Sequence, residues 1–238
     1  GATRLSDYMM HTTKQYHAQI TLGKTTTTYD AEGDEVEEMD ASHITQSDVE
    51  ATFSDFIGDI QQVPPMYSAI KVDGQKLYDL ARDGKTIERK PRDIHIAELN
   101  ILSWNPPIFE LDVACSSGTY IRSLAFDIGA KLGVGAYLSG LERVANGQFH
   151  IRSAIDLDTI MNDDDWYQHI IPPQNALSDR PSIILGAEEI ELIQNGQFIQ
   201  RTSDTDVDQI FAFRDDGEFV AILTSRDKFW KPHKVFLR

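Results

Sequence analysis

Gly118-Thr119-Tyr120-Ile121-Arg122 places an aromatic ring and a guanidinium two residues apart, and Lys14-Gln15-Tyr16 does the same with an ammonium and a second ring. A ring offers a flat apolar surface on which a planar group can stack, and arginine's rigid fork of donors matches a carboxylate or a phosphate. The block VPPMYSAIKVDGQKLYDLAR, from Val63 to Arg82, adds Tyr67 and Lys71; Gly140-Leu141-Glu142-Arg143 adds an apolar side chain close to another cation. Taken singly, each has a structural reading. Tyr16, Tyr120 and Leu141 could be core or half-buried residues, and Arg122 a helix-surface residue with an acidic neighbour such as Asp127.

Other chemistries find less support. Asp30-Ala31-Glu32-Gly33-Asp34 starts like a calcium loop, but the twelfth position from Asp30 is Ala41, where a bidentate carboxylate is needed, and the glycine is misplaced. A solvated acidic loop is expected there. The Asp163-Asp164-Asp165 run reads as a solvated turn or helix start, without a nearby His to complete a metal set. Cys115, in the alternation from Phe109 to Cys115, reads as a buried strand residue, because no basic neighbour in sequence would lower its pKa. A single cysteine allows no internal disulfide, the N-terminus has no signal-peptide pattern, and no apolar run approaches a membrane span. A cytoplasmic location, with no membrane partner, is the resulting expectation.

The elements that must position these residues follow from periodicity. Gln15 to Leu22 alternates as a half-buried strand, while the stretch from Thr25 to Met39 turns polar and acidic. Ser47 with Glu50 suggests a capping box for a helix whose apolar stripe is Val49, Phe53, Phe56 and Ile57. A strand from Met66 to Val72, an Asp73-Gly74 turn and a short helix from Gln75 to Arg82, ended by Gly84, come next. Strands near Ile94 to Leu102 and Ile108 to Ala114 join through Asn105-Pro106-Pro107. Tyr120 to Leu132 has helical periodicity with Gly133 past its end, which puts Tyr120 and Arg122 at a helix start. Ile171 to Pro181 reads as a linker, followed by a small, mostly β unit with a helix at Ala187 to Gln194.

The formal net charge of −16 argues against a nucleic-acid partner until its distribution is considered. Acid is concentrated in residues 1–60 and 151–238, whereas Lys71 to Arg92 holds seven basic and four acidic residues. On charge alone that stretch is a solvated surface.

Together the Val63–Arg82 block and Gly118–Arg122, in that order and at that spacing, resemble a TruB-type tRNA pseudouridine synthase. The resemblance covers residues 1 to about 153 well and the C-terminal unit weakly. It implies a mixed α+β (α/β) fold with a mainly antiparallel sheet, a catalytic domain over residues 1–174 and a small β-rich PUA-like RNA-binding domain over 175–238. The implied activity is isomerisation of the T-loop uridine of tRNA to pseudouridine, with base flipping and an ionised aspartate, and with no metal or organic cofactor. The implied partner is the tRNA T-arm, bound by a monomer. Residue by residue, Tyr16 would stack on the target base, Arg122 would pair with the catalytic aspartate, Tyr120 would line the pocket and Leu141 would close its apolar side. Tyr67 and Lys71 would support the pocket and contact RNA.

Some positions depart from the pattern. Thr25 and Thr27 stand where relatives often have Arg and Asp, Glu142 replaces a common Arg, and the C-terminal unit is acidic apart from Lys228, Lys231, Lys234 and Arg238. The family's aspartate lies in a Gly-His-Thr-Gly-x-Leu-Asp-Pro-Leu-Ala-Thr-Gly segment that is not among these residues, and Gly1 to Ser6 resembles the stretch immediately after it. The expectation is a remainder of a longer product, inactive as it stands. The alternatives are an RNA-binding or RNA-folding module without catalysis, and an acidic protein-interaction domain.

Overall fold

The computed structural model describes residues 2–10, 12–72, 74–201 and 206–237. Asp73 of the expected turn and Arg238 of the basic tail lie outside the described residues. Two compact units emerge, Ala2–Ala154 and Ile155–Arg238.

The first unit runs through a 3-10 turn (Ala2–Leu5), α1 (Ser6–Met10), β1 (Lys14–Leu22), β2 (Lys24–Thr26), β3 (Glu35–Glu38), α2 (Gln46–Thr52), β4 (Gly58–Gln62), β5 (Lys71–Val72), β6 (Gln75–Lys76) and α3 (Leu77–Arg82). It continues with β7 (Arg92–Asn105), β8 (Ile108–Cys115), α4 (Ile121–Leu132), β9 (Ala136–Asn146) and β10 (Phe149–His150). Among the described residues the main sheet has the order β10-β9-β1-β8-β7-β4, and every pairing in it is antiparallel. Alternation decides which face is covered. In β1, Ala18, Ile20 and Leu22 are buried while His17 is exposed; in β8, Phe109, Leu111, Val113 and Cys115 point the same way. The apolar stripe of α4, made of Ile121, Leu124, Ala125 and Ile128, closes that core. Burying each large aliphatic side chain contributes roughly 1.5–3 kcal/mol, so the sheet and α4 stabilise each other. Gly133, at φ 74°, ends α4 in the left-handed conformation expected of a C-terminal glycine.

The second unit holds α5 (Leu157–Met161), α6 (Pro173–Ala176), β11 (Ser182–Ile184), α7 (Ala187–Gln194), β12 (Ile199–Gln200), β13 (Gln209–Phe213), β14 (Phe219–Arg226) and β15 (Phe229–Val235). Its sheet order is β11-β13-β14-β15-β12, with β11 parallel to β13 and the other pairs antiparallel. Trp230, Ile193, Ile210 and Leu223 lie in its core.

Several expectations need correction. The division falls between residues 154 and 155 rather than at 174, because the supposed linker folds: Pro173 starts α6, Leu177 is buried, and Gln174 packs by the Gly217 turn of the same unit. The capping box is Thr45 with Asp48, two residues before the expected Ser47. Thr45 is the residue with extended backbone, so its hydroxyl meets the Asp48 N–H while the Asp48 carboxylate returns to the Thr45 N–H. Ile57 falls past the helix and is exposed. The strand expected over 66–72 survives only as β5, since residues 66–69 are bends. The polar stretch 25–39 is a hairpin, β2 against β3, with Lys24 ion-paired to Glu35 and Glu38.

The closest approach of α4 to the sheet gives a test. A Cβ at Gly129 would lie 2.1 Å from the Ala136 nitrogen and 2.4 Å from the Gly135 carbonyl carbon. Alanine improves helix propensity by about 1 kcal/mol, but neither backbone atom can yield without moving β9. Gly129→Ala is therefore expected to destabilise the first unit by roughly 1–3 kcal/mol, read as a lower urea midpoint; a raised midpoint would show the helix is not seated this closely.

Candidate active site

Arg122 stands in the first turn of α4, whose N-cap, Tyr120, has no side-chain cap. Gln62, at the end of β4 and 4% exposed, instead binds the backbone of that N-cap residue. The Tyr120 N–H donates to Gln62 Oε1 at 2.8 Å, and Gln62 Nε2 donates to the Tyr120 carbonyl at 3.0 Å. A buried amide with both ends used is bound in one orientation. The start of α4, and Arg122 with it, is thereby tied to the sheet.

The guanidinium then meets two fixed acceptors. Arg122 Nη1 donates to Asp30 Oδ2 at 2.7 Å, Nη2 donates to the Tyr67 carbonyl, and the Arg122 and Asp30 side chains are 22% and 21% exposed. Asp30 is thus no part of a solvated loop. The Thr26 hydroxyl donates to its carbonyl at 2.7 Å, and the Thr28 hydroxyl and the Glu32 N–H donate to Oδ1. The backbone on either side bridges to Leu138, whose N–H donates to the Tyr29 carbonyl while its own carbonyl accepts from Ala31, each at 3.0 Å. The threonine run that reads as featureless polarity supplies one hydroxyl donor to this carboxylate and another to the Asp30 backbone.

Tyr16 lies in β1, half-buried against the core, opposite Val113 of β8 and Arg143 of β9. Burial, reinforced by Cys115, pushes its phenol up, while the Arg143 guanidinium opposes the shift. Lys14, on the same face, has its ammonium lowered by burial and then by Arg143, and Nζ donates to the Met10 carbonyl at 2.8 Å at the end of α1. Leu141 sits opposite Ala18, on the strand that carries Arg143, and is 49% exposed. Arg143 therefore faces Tyr16 across the sheet, with Lys14 two residues before Tyr16 on β1 and Leu141 two residues before Arg143 on β9. Lys71 is elsewhere, exposed on the β5–β6 hairpin, where with Lys76, Asp79 and Asp83 it lines a cavity of 330 Å³. The structure thus joins Arg122 to Tyr67 and groups Tyr16 with Leu141, and it leaves Lys71 on its own hairpin. Cys115 is buried, as its strand position requires, and burial raises its thiol pKa. Asp163 does have a histidine partner, His169 Nε2 at 2.7 Å, six residues on, which sequence adjacency hid.

Residues 1–121 match the family described as TruB family pseudouridylate synthase (N terminal domain). The tRNA pseudouridine synthase B of Dehalococcoides mccartyi (strain ATCC BAA-2266) is 39% identical over 241 residues, covering 100% of this chain and 80% of the relative. The chain belongs to the TruB family. The tRNA pseudouridine synthase B of Clostridium tetani is 44% identical over 196 residues, 82% of this chain and 68% of that protein. Among solved structures, a chain of an H/ACA RNP bound to a substrate RNA containing 2′-deoxyuridine aligns with TM-score 0.72 at 18% identity, covering 100% of this chain and 70% of that one. A Cbf5-Nop10-Gar1 complex gives TM-score 0.71 at 21% identity, over 99% of this chain and 70% of that one. At such identities the two structures bear out the mixed α+β fold. In this TruB-family chain the residues that sequence reasoning missed are Asp30 and Gln62, both of which act through hydrogen bonds to residues distant in sequence.

One titrating group on the same helix gives a pH test. Asp127 lies between Ser123, which donates to the Val63 carbonyl, and Lys131, which is engaged with Asp55 at 2.8 Å. Burial pushes the Asp127 carboxyl up to about 6. A folded-state value above the unfolded one means that the native state favours the proton. The penalty for ionisation is then absent below about pH 4, grows between pH 4 and 6, and is complete above. Asp127→Asn should raise stability by about 2 kcal/mol at pH 7.5 and change it little at pH 4, measured by urea unfolding at both pH values; an equal effect at both would contradict the burial argument.

Proposed function

We propose that this chain forms the RNA-handling body of a tRNA pseudouridine synthase acting on the T-loop uridine. The observation that carries the reading is the Arg122 guanidinium held between Asp30 and the Tyr67 carbonyl at the start of α4, inside a chain that belongs to the TruB family. Those contacts use only part of arginine's donor fork. The remainder suits an incoming carboxylate, which Arg122 would orient and keep ionised.

The uridine leaves its stack and lies on the Tyr16 ring, with Leu141 closing the apolar side and Tyr120 lining the pocket. The C–N glycosidic bond breaks, the uracil turns, and a C–C bond to the sugar forms. Asp30 is a poor attacker, since Thr28 and the Glu32 N–H occupy Oδ1 and Arg122 occupies Oδ2. The attacking carboxylate is assigned to the Gly-His-Thr-Gly-x-Leu-Asp segment, which is not part of these 238 residues.

Tyr67 and Lys71 are assigned to pocket support and RNA contact, with the Lys71–Arg92 stretch meeting phosphates. The unit from residue 155 onward is read as a PUA-like RNA-binding domain. Supporting this is Arg226 over the exposed Phe198 ring at 5.6 Å, with Lys228 and Lys231 on the β14–β15 hairpin that carries Arg226. We assign the protein to the cytoplasm as a monomer without metal or cofactor; among the described residues no helix is long and apolar enough to cross a membrane.

T-arm hairpin RNA should bind the chain with an affinity that falls as salt rises, and Tyr16→Ala should weaken that binding by roughly 1–3 kcal/mol, the range for one stacked base. Filter-binding titrations at several salt concentrations measure both. Salt-independent or absent binding would favour a protein-interaction domain, and unchanged affinity in Tyr16→Ala would remove the stacking role.

A further inference from the structure

Tyr29 and Phe126 stack with ring centroids 4.0 Å apart and planes 21° from parallel. Both rings lie outside the core cluster of the first unit, so core filling does not explain them. Their position is specific. Phe126 is one helical turn after Arg122 on α4 and therefore shares its face. Tyr29 immediately precedes Asp30, the partner of Arg122. Tyr29 also adopts φ 66°, a left-handed backbone that a large side chain adopts only at a cost and that glycine would adopt freely. A tyrosine at such a turn implies that its ring is used.

We propose that the Tyr29–Phe126 stack is a positioning pair, which clamps the Asp30 turn onto the turn of α4 that carries Arg122 and so fixes the direction of the guanidinium. Its importance for the reaction rests on the reading of Arg122 given under Proposed function. The hydrogen bonds to Leu138 hold this turn on the side of β9, and the stack holds it on the side of α4. With both attachments the Asp30 carboxylate has one approach to Arg122. Without the stack, the turn keeps its tether to β9 but can swing relative to the helix.

The test uses the whole chain without RNA. In a ¹⁵N-labelled sample the exchange of the Arg122 guanidinium N–H with water is followed by NMR, beside the backbone amide spectrum. Tyr29→Ala and Phe126→Ala should each speed Arg122 exchange several-fold while the amides of the main sheet stay dispersed, and Tyr29→Phe, which keeps the ring, should behave like the parent. Phe126→Leu, which keeps apolar bulk but loses the aromatic face, replaces either alanine variant that fails to fold. Exchange at the parent rate in the variants without the stack, or equally fast exchange in Tyr29→Phe, would overturn the proposal. Failure of the parent chain to bind T-arm RNA would sink the proposed function and leave this result standing.

Discussion

A guanidinium that is only one-fifth exposed loses much of its hydration and must recover it from fixed partners, and this requirement at Arg122 accounts for much of the surrounding architecture. The helix that carries it is anchored at its N-cap by the Gln62 amide. The carboxylate that meets it is itself held by the Thr28 hydroxyl and the Glu32 N–H, and the Thr26 hydroxyl holds the Asp30 backbone carbonyl. Each partner has partners of its own. Such a pair adds less to stability than to direction, since an ion pair taken partly out of water regains by attraction about what it loses in hydration. What it provides is a cation that does not have to be ordered when substrate arrives.

The same logic separates the Tyr16 region from Arg122. The stacking role proposed for Tyr16 requires a flat face and little else, which suits a residue on a strand, half-supported by the core, with Leu141 and Arg143 on the neighbouring strand. Orienting a carboxylate requires fixed donors, and these come from the start of a helix where the backbone is tied down. The antiparallel sheet unites the two kinds of group because α4 packs chiefly on β9, the strand paired with the one that bears Tyr16.

Much of this fold was legible in residue order. Period-two alternation marked β1 and β8, period-3.6 spacing marked α4, Gly133 marked where α4 stops, and β7 and α7 fall where a strand and a short helix were expected. The errors have physical reasons. Thr45, not Ser47, caps α2 because the cap is decided by which backbone is extended, and both residues offer a hydroxyl. The segment at 171–181 looked like a linker because prolines punctuate it, yet a proline at the first helical position is compatible with a helix. Of the proposed site, Tyr16, Arg122, Tyr120 and Leu141 were named through the resemblance to the TruB family, since each residue taken singly has a structural reading. Asp30 was not, because an acidic run is most often solvated, and the partner that changes its meaning lies 92 residues away. Gln62 was hidden for the same reason, being 58 residues from the backbone it holds.

The central claim is that Asp30 acts through Arg122 rather than as an independent acid. It is tested most directly by a double-mutant cycle on T-arm hairpin affinity with Asp30→Ala, Arg122→Ala and the double variant. The account predicts that the second substitution costs little once the first is made, a coupling of roughly 0.5–3 kcal/mol. Additive losses would show that the two side chains work separately and would contradict it.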